Sequence, residues 1–350
     1  MNKCRVALLS AMLASTGAFA ADGDLELNIG GFVWGDVGFG DRYDGSDDDQ
    51  AGVSKAAITV SPEYGNTRAV VVLGADNIFN DDHFNDGSGS GDTEFKEVFV
   101  GIKFDLAGGT FDTTLGKQPL LFGLKPNGWV GDRSIQSGLE FGGGTTTWDG
   151  MNTSGQVVTG LLFDWSWGGG GSGSAASSVG SDGTVSVRFG FFDTSEDGPG
   201  DDASTLGENY ILQIRADDLF GTGVYGVAGY EGVYQGATDD TETLYTLGLG
   251  WEFNMFDLSL EYQSIAEEIM GTADDETLII AEATFNLNEQ WAFYVDYATA
   301  DESEVDTLRV GAIYSYNDHL DFVIEYSDDT DDIDPNAEVD SIDLRAAFSF

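Results

Sequence analysis

The sequence predicts an all-β fold in which about sixteen antiparallel strands close into a barrel that spans a membrane. Three features carry this prediction. Apolar and polar side chains alternate through many short segments, the connections between segments are alternately short and long, and glycine (49) far outnumbers proline (5) among the 350 residues. Alternation with a period of two is typical of a strand with one dry and one wet face. An even number of such strands with alternating connections is the pattern of a transmembrane β-barrel.

The first twenty residues have the features of a secretion signal. Lys3 and Arg5 give a positive start, a short and mostly apolar run follows, and Ala18-Phe19-Ala20 forms an A-x-A cleavage site. The alternative interpretation of this stretch is an amphipathic first helix. Cleavage after Ala20 would remove Cys4, the single cysteine, so the mature chain would have to be stable without disulfides. Export of this kind indicates a bacterial protein.

Acidic residues dominate the charge of the chain. The sequence has 62 acidic and 14 basic residues, which give a formal net charge of −48. Such a field repels nucleic acid, and no basic stripe offsets it, so nucleic acid is excluded as a partner. A hydrophobic content of 41% with 12% aromatic residues is too high for a disordered chain. No segment of the mature chain approaches the ~20 apolar residues of a transmembrane helix.

The alternating segments follow one another along the mature chain. In the first of them, Leu25 and Leu27 lie on one face while Glu26 and Asn28 lie on the other. The alternation is weak in the ninth segment and does not assign its faces. The predicted strands are residues 25–40, 51–60, 68–78, 94–106, 110–117, 156–167, 185–191, 210–215, 222–232, 245–253, 256–262, 279–285, 291–297, 308–316, 320–326 and 341–350.

The connections between these segments fall into two sets. The short set is 62–66, 107–109, 217–222, 254–255, 286–290 and 317–319; the longer, acidic set is 41–50, 79–92, 194–207, 267–275, 301–305 and 328–336. The glycine- and serine-rich stretch 168–183 falls among the short connections and could pass for a domain linker. Because the alternation continues on both sides of it, we predict one domain, residues 21–350.

Aromatic side chains crowd the short turns, as in the interfacial girdle of a transmembrane barrel. Trp251 and Phe253 precede one such turn and Phe256 follows it. A soluble sandwich could show the same alternation of apolar and polar residues. An apolar face on nearly every strand, with charges on the other face, favours the transmembrane barrel instead.

The last segment, residues 341–350, ends the chain on Phe350. In an open sheet its free edge would be an aggregation hazard, whereas pairing with residues 25–40 would close the barrel. We therefore predict closure, with Ile342 and Leu344 facing lipid and with Asp343 and Arg345 facing the lumen.

Residues 118–147 contain no clean strand and are too many for a tight turn. A transmembrane barrel of this strand number encloses a water-filled channel rather than a solid core. The natural place for the segment is inside the lumen, and we therefore predict that it folds inward as a constriction loop.

Short motifs in and around this segment resemble those of a known family, the trimeric general-diffusion porins of Gram-negative bacteria. The run from Leu139 to Thr145, LEFGGGT, resembles the P-E-F-G-G-D motif of that family's constriction loop. Gly116-Lys117 resembles the glycine–basic pair that opens the loop, and Phe350 resembles the family's carboxy-terminal assembly signal. The resemblance implies a sixteen-stranded trimeric outer-membrane barrel.

The resemblance also implies roles for particular residues. Glu140 would project into the eyelet, and glycine stands at position 144 where the family usually has a second acid, which would make the eyelet wider or less acidic. The family's arginine cluster on the facing wall has only Lys55, Arg68 and Lys103 as candidates here. Other charged residues in or beside the loop could pair with one another; they are Lys117, Lys125, Asp132 and Arg133.

The same resemblance implies the partners. They are outer-membrane lipid and lipopolysaccharide, the barrel assembly machinery, and two further copies of the chain in a homotrimer, with residues 79–93 in the place of the loop that latches onto the neighbouring subunit. The acidic stretches Asp47–Asp49 and Asp328–Asp334 could hold divalent cations diffusely against lipopolysaccharide phosphates. The alternative is that these stretches only maintain solubility.

The predicted function is passive diffusion of small hydrophilic solutes and ions, with a mild cation preference from the acidic lumen. One alternative is a channel specific for sugars or oligosaccharides, with aromatic contacts from Trp129, Trp148 or Trp34. Another is an anion channel, because residues 116–127, GKQPLLFGLKPN, resemble a loop of phosphate-selective porins. A third is an adhesin or structural barrel that uses its acidic loops.

Enzyme activity is not predicted. The only histidines, His83 and His319, are far apart in sequence, and neither H-E-x-x-H nor G-x-S-x-G occurs. Residues 221–226 match G-x-G-x-x-G, but the match runs from a turn into a strand rather than into a helix. We therefore predict no catalytic residues, no cofactor and no defined metal site.

Overall fold

The computed structural model describes residues 25–40, 50–76, 94–120, 122–124, 157–168, 183–193, 209–235, 240–266, 276–301, 305–331 and 339–350. Sixteen strands run through these residues. They are β1 (Leu25–Gly40), β2 (Gln50–Tyr64), β3 (Thr67–Asp76), β4 (Glu94–Leu106), β5 (Gly109–Pro119), β6 (Val157–Trp167), β7 (Thr184–Asp193), β8 (Asn209–Leu219), β9 (Val224–Gln235), β10 (Asp240–Phe253), β11 (Phe256–Ile265), β12 (Glu276–Asn286), β13 (Trp291–Ala300), β14 (Val305–Asn317), β15 (Leu320–Asp331) and β16 (Val339–Ser349).

Every strand pairs with its neighbours in sequence, and β1 pairs with β16, so the sheet closes on itself. At the seam, Phe32 lies opposite Ser349 and Phe39 lies opposite Ile342. Two hydrogen bonds of 3.0 Å between Gly31 and Phe350, one in each direction, extend the seam to the last residue. Closure removes the free strand edges that an open sheet would expose. The predicted all-β antiparallel barrel of about sixteen strands is confirmed.

The two faces of the barrel wall have opposite polarity. Leu247 and Leu249 on β10 point outward and keep 64% and 61% of their surface exposed. Glu325 and Arg309, which point inward from β15 and β14, are 0% and 1% exposed. A soluble sandwich would bury the leucines and expose the charges, so this polarity fits a barrel whose outer face meets lipid.

The strand β16 also has an apolar outer face and a polar inner face. Ile342 and Leu344 are exposed on the outside, while Asp343 and Arg345 are buried on the inside. The faces predicted for these four residues are therefore those observed.

Aromatic rings form a belt at each end of the outer face. We call the end with turns 65–66, 107–108, 220–223, 254–255, 287–290 and 318–319 the short-turn end, and the opposite end the long-loop end. At the short-turn end the ring pairs are Trp251–Phe253, Phe256–Phe285, Trp291–Tyr314 and Phe348–Phe350. Towards the long-loop end, the Tyr230 ring lies 5.7 Å from Tyr210 and 5.1 Å from Tyr245.

The separation of the two belts matches a membrane. From Tyr245 to Phe253 on β10 the strand advances eight residues, ~27 Å at ~3.4 Å per residue, or ~21 Å along the barrel axis at a ~40° tilt. That is close to the ~25 Å apolar band of outer-membrane barrels. Among the residues that the structure describes, no helix has the length and apolar character needed to cross a membrane.

The ninth strand, whose faces the sequence left open, turns Tyr225 and Val227 inward. Both side chains are buried and pack against Leu124, which follows β5. The inner face of β9 is apolar at these two residues because a chain segment covers it there. This explains why a strand in a predicted water-filled barrel shows no clear alternation.

Candidate functional site

The chain turns into the barrel lumen directly after β5. Leu120, Phe122 and Leu124 are all buried, and Gly123 between them has φ = +88°, a left-handed conformation that favours glycine. The described beginning of the predicted constriction loop therefore lies inside the barrel. The rest of that segment, residue 121 and residues 125–147, lies outside the described residues.

Three side chains of the lumen wall bind the backbone of this stretch. The Gly123 N–H donates to Gln213 Oε1 at 2.9 Å, and the Leu124 N–H donates to Glu261 Oε2 at 3.0 Å. Arg215 Nη1 donates to the Leu124 carbonyl at 2.8 Å. Since Gln213 and Arg215 are on β8 and Glu261 is on β11, the chain leaving β5 is fixed to the far wall.

Two wall glycines make room for the side chains of the stretch. A Cβ at Gly229 would lie 2.6 Å from the Phe122 ring, and a Cβ at Gly248 would lie 2.8 Å from Leu124 Cβ. Any larger residue at either position would push Phe122 or Leu124 away from the wall. We call Phe122–Leu124 the stem, and we call the surface formed by Gln213, Arg215, Gly229, Gly248 and Glu261 the socket.

An apolar cluster lines the lumen above the socket, towards the long-loop end. It joins Leu120 and Phe122 to inward-facing residues of β6 to β13, and every member is buried. The members are Leu120, Phe122, Val158, Leu162, Phe192, Ile211, Leu244, Ile265, Ala266, Leu278, Ile280, Ala298 and Ala300. These apolar side chains are therefore shielded from water.

The inward-facing arginines have local partners. Arg68 binds Asp112 at 2.6 Å, Arg188 binds Asp164 at 2.8 Å, and Arg215 Nε binds Asp217 at 2.9 Å. The guanidinium of Arg345 lies 4.4 Å from the centre of the Trp34 ring, a cation–π contact. Arg309 on β14 lies opposite Asp296 on β13. The positive charge of these arginines is thus largely compensated within the wall.

The wall formed by β13 to β16 is a buried polar network. The Tyr294 ring lies across Gly311, whose Cβ would meet the ring at 2.0 Å, and its hydroxyl donates to Glu325. Ser341 Oγ donates to Asp343 Oδ2 at 2.8 Å and also shares a hydrogen bond with Ser327. Buried hydrogen bonds of this kind stabilise one arrangement of the wall.

Inward charged side chains of β3 to β8 keep part of their surface exposed. The side chains of Arg68 and Asp112 remain 24% and 15% exposed, and Lys103 is half-buried. Asp164 on β6 keeps 36% of its side-chain surface, and Arg215 on β8 keeps 27%. Water therefore reaches the described lumen wall at these charges, from β3 to β8.

Among the predicted wall residues, Arg68 and Lys103 lie on this partly exposed part of the wall. Both adjoin Asp112, Arg68 through the ion pair and Lys103 as its cross-strand neighbour. The backbone of Lys55 pairs with Trp34 on β1. Their predicted role opposite the constriction loop stays a prediction.

Lys117 lies on β5 opposite Val98 and Thr159. By strand alternation it shares a face with Leu115, which is exposed on the outside. An outward position does not favour the role at the constriction that the sequence predicted for Lys117. That role stays a prediction. The other predicted loop residues, Lys125, Asp132, Arg133 and Glu140, lie outside the described residues, as do Trp129 and Trp148.

The structure describes two of the aromatic residues for which the sequence predicted a role, Phe350 and Trp34. Phe350 is half-exposed and its backbone pairs with Gly31, while its ring lies 6.2 Å from Phe348 in the short-turn belt. Trp34 points inward, as its alternation predicts, but it lies against Phe32 and under Arg345 and is nearly buried. Within the described residues, no group of His, Cys, Asp or Glu side chains is arranged to hold a metal ion.

The socket residues are the ones that the sequence did not single out. Alternation places Gln213, Arg215 and Glu261 on the polar face of their strands, like many other residues. They bind a stretch that lies 90, 91 and 137 positions away in sequence. The only local signal was glycine on the inner face of β9 and β10, at Gly229 and Gly248.

Comparison of the sequence with protein-family models and with curated proteins finds no match. The fold does match solved structures. An anion-selective porin from Comamonas acidovorans aligns with a TM-score of 0.62 and 14% identity over 93% of this chain and 100% of its own. OmpF of Salmonella typhi, in complex with daunomycin, aligns with a TM-score of 0.63 and 12% identity over 93% and 97%.

A third match is OmpT, an outer membrane protein of Vibrio cholerae in its trimer form. It aligns with a TM-score of 0.53 and 11% identity over 93% of this chain and 99% of its own. Identities this low establish the fold alone. The chain has the porin fold, a transmembrane antiparallel barrel of sixteen strands of the outer-membrane type.

Proposed function

We propose that the protein is a passive outer-membrane channel for small hydrophilic solutes and ions. The proposal rests on the charged side chains of β3 to β8, such as Arg68, Asp164 and Arg215, which keep part of their surface exposed inside the barrel although the stem and the apolar cluster occupy part of the lumen. A water-lined path along one wall permits diffusion without a binding or catalytic step. No catalytic role is proposed.

Planar-bilayer recording of the purified protein tests the channel. The expected result is discrete conductance steps in potassium chloride that scale with salt concentration. Absence of such steps from protein that is folded and inserted would refute the proposal. An adhesin or structural barrel would give that result.

The channel is proposed to prefer cations mildly. Inward-facing acids outnumber the arginines described above, and several arginines already bind an acid; the acids include Asp112, Asp164, Asp257, Asp296, Glu325 and Asp343. Negative charge along a narrow aqueous path concentrates cations and repels anions. The reversal potential in a salt gradient should therefore have the sign of cation preference, and strong anion selectivity would contradict this.

The second candidate from the sequence is a sugar-specific channel. Of the aromatic residues proposed to contact the sugar, Trp34 is the one that the structure describes. Trp34 is covered by Arg345 and nearly buried, so it offers little surface to a passing solute. The general channel is therefore preferred. Saturable block of the current by added oligosaccharide would reverse this preference.

The remaining features of the proposal concern export and assembly. We propose cleavage after Ala20, a constriction formed by residues 118–147, and a homotrimer in contact with outer-membrane lipid and lipopolysaccharide. The trimer form of the Vibrio cholerae protein supports the homotrimer by analogy of fold. Mass measurement of the mature chain tests the cleavage, and native mass in detergent tests the trimer.

A further inference from the structure

A groove of about 420 Å³ crosses the outer face of the barrel where β13 to β16 meet β1. Gly35, Ala312 and Ala346 leave room for it because they are small, and larger apolar side chains surround them. The larger side chains that line the groove are Val37, Trp291, Tyr314, Phe322, Ile324 and Leu344. A volume of this size is within the range of pockets that hold a small ligand.

The groove extends from the short-turn belt towards the middle of the apolar band. Trp291 and Tyr314, whose rings lie 4.7 Å apart, belong to that belt. Ala312, Ile324 and Leu344 form one row across β14 to β16, two residues further from the turns than Tyr314. Ile324 and Leu344 are 49% and 40% exposed on the outside of the barrel. The groove therefore opens to the membrane, and its occupant must be apolar.

A lipid acyl chain fits these properties better than a second protein surface. Trp and Tyr rings are typical of the boundary between lipid chains and headgroups, and here they lie at one end of the groove. Lipid tails are as apolar as leucine, so packing rather than the hydrophobic effect would hold the chain. A groove increases that packing, because a chain inside it contacts protein atoms on several sides.

Charges at the short-turn end of the groove favour one kind of headgroup. Glu289 in turn 287–290 and Asp318 in turn 318–319 are exposed, and neither of these two turns contains Lys or Arg. Negative side chains at a membrane surface repel an anionic headgroup and attract an amine. The aromatic face of Trp291, which directly follows the first turn, also attracts an ammonium group. The partner that fits is a zwitterionic phospholipid whose head ends in an ammonium group.

We propose that this groove binds one acyl chain of a zwitterionic phospholipid, with the ammonium group of its head beside Glu289 and Asp318. The site lies on the outside of the barrel and does not depend on the passage of solutes through the lumen. A barrel that gives no current can still be tested for the lipid. The channel and the lipid site therefore fail separately.

Native mass spectrometry of the purified protein tests the site. Vesicles of equal parts phosphatidylethanolamine and phosphatidylglycerol supply the two lipids, and mild detergent then releases the barrel. We expect one retained phosphatidylethanolamine per barrel. It should be retained about five times as often as phosphatidylglycerol, since one charge near a membrane surface changes affinity about fivefold. Equal retention of the two lipids, or no retained lipid, overturns the proposal.

Filling the groove should release the lipid. Ala312→Leu combined with Ala346→Leu should lower retention about fivefold, because the chain loses about ten atom contacts. The matched control is Ala283→Leu on β12. Ala283 is half-buried like Ala312, and it lies two residues from Phe285 of the belt as Ala312 does from Tyr314.

Three results with these variants would overturn the site. They are unchanged retention in the filled groove, an equal loss in Ala283→Leu, and dissociation of an oligomer without any change in lipid. The last result would mean that a second copy of the chain covers the groove.

The headgroup is tested by removing its charged neighbours. Glu289→Gln combined with Asp318→Asn should abolish the preference for phosphatidylethanolamine while one lipid is still retained. Asp105→Asn, an exposed acid near the same end on β4, is the control and should leave the preference unchanged. A preference that survives the double substitution overturns the role of these two acids.

A photoreactive lipid locates the chain in the protein without substitutions. Phosphatidylethanolamine with a diazirine on one acyl chain is mixed into the vesicles and irradiated, and the labelled peptides are identified. Labels should concentrate on β13 to β16 and β1. Labels spread evenly around the barrel would overturn the proposal.

Discussion

The substitution Leu249→Arg should destabilise the barrel by about 2–4 kcal/mol, because it places a charge near the middle of the apolar band. Leu249 lies four residues from Tyr245 and four from Phe253, which belong to the two aromatic belts. Four residues are ~14 Å along the strand, or ~10 Å along the barrel axis at a ~40° tilt. At 61% exposure the side chain faces outward, so the arginine would enter lipid.

Urea unfolding in phosphatidylcholine vesicles, followed by tryptophan fluorescence, measures this effect. With a slope of about 3 kcal/mol per molar urea, the midpoint should fall by about 0.7–1.3 M. Tyr245→Arg is the matched control, because it introduces the same charge on the same face at the belt, where the loss should be only about 0–1 kcal/mol. Equal losses at both positions, or none at Leu249, would refute a lipid-facing outer surface.

Two substitutions and one deletion address other parts of the structure. Gly311→Ala should destabilise by about 2–4 kcal/mol in the same titration, since its Cβ displaces the Tyr294 ring from Glu325; a loss smaller than that of Tyr294→Phe would contradict this. Deleting Phe350 removes the last seam pair and should lower the yield of inserted protein while export continues, and normal trimer levels after the deletion would argue against it. Arg68→Ala should change stability by less than about 1 kcal/mol, because its ion pair with Asp112 is partly exposed. The same change should shift the reversal potential further towards cation preference, and an unchanged potential would exclude a solute path past Arg68.

Part of the lumen of this barrel is a small hydrophobic core. A core of this kind stabilises the position of the stem because apolar area is removed from water where Leu120 and Phe122 meet Phe192, Leu244 and Ile280. Hydrogen bonds of Tyr294 and Ser341 stabilise the wall of β13 to β16.

Alternation along single strands predicted most of the wall. For β1, β4 and β11 the predicted starts agree with those observed, and the inward placement of Asp343 and Arg345 follows from a period of two that no other segment can alter. The partner of the closing strand was also predictable. Residues 341–350 follow β15 and pair with it, so in a closed barrel the only strand left for their other edge is β1. These are local properties, in which each residue's side is set by its immediate neighbours.

What the sequence by itself determined was therefore the class of fold, the number of strands, the faces of the strands other than β9, and the point at which the chain leaves the wall after β5. Only the tertiary structure decided which wall the stem meets and which lumen residues hold it. Gln213, Arg215 and Glu261 look like ordinary lumen residues until closure brings β8 and β11 within hydrogen-bonding reach of Gly123 and Leu124. The inward apolar face of β9 has the same origin: Tyr225 and Val227 are buried there because Leu124, a distant part of the chain, covers them.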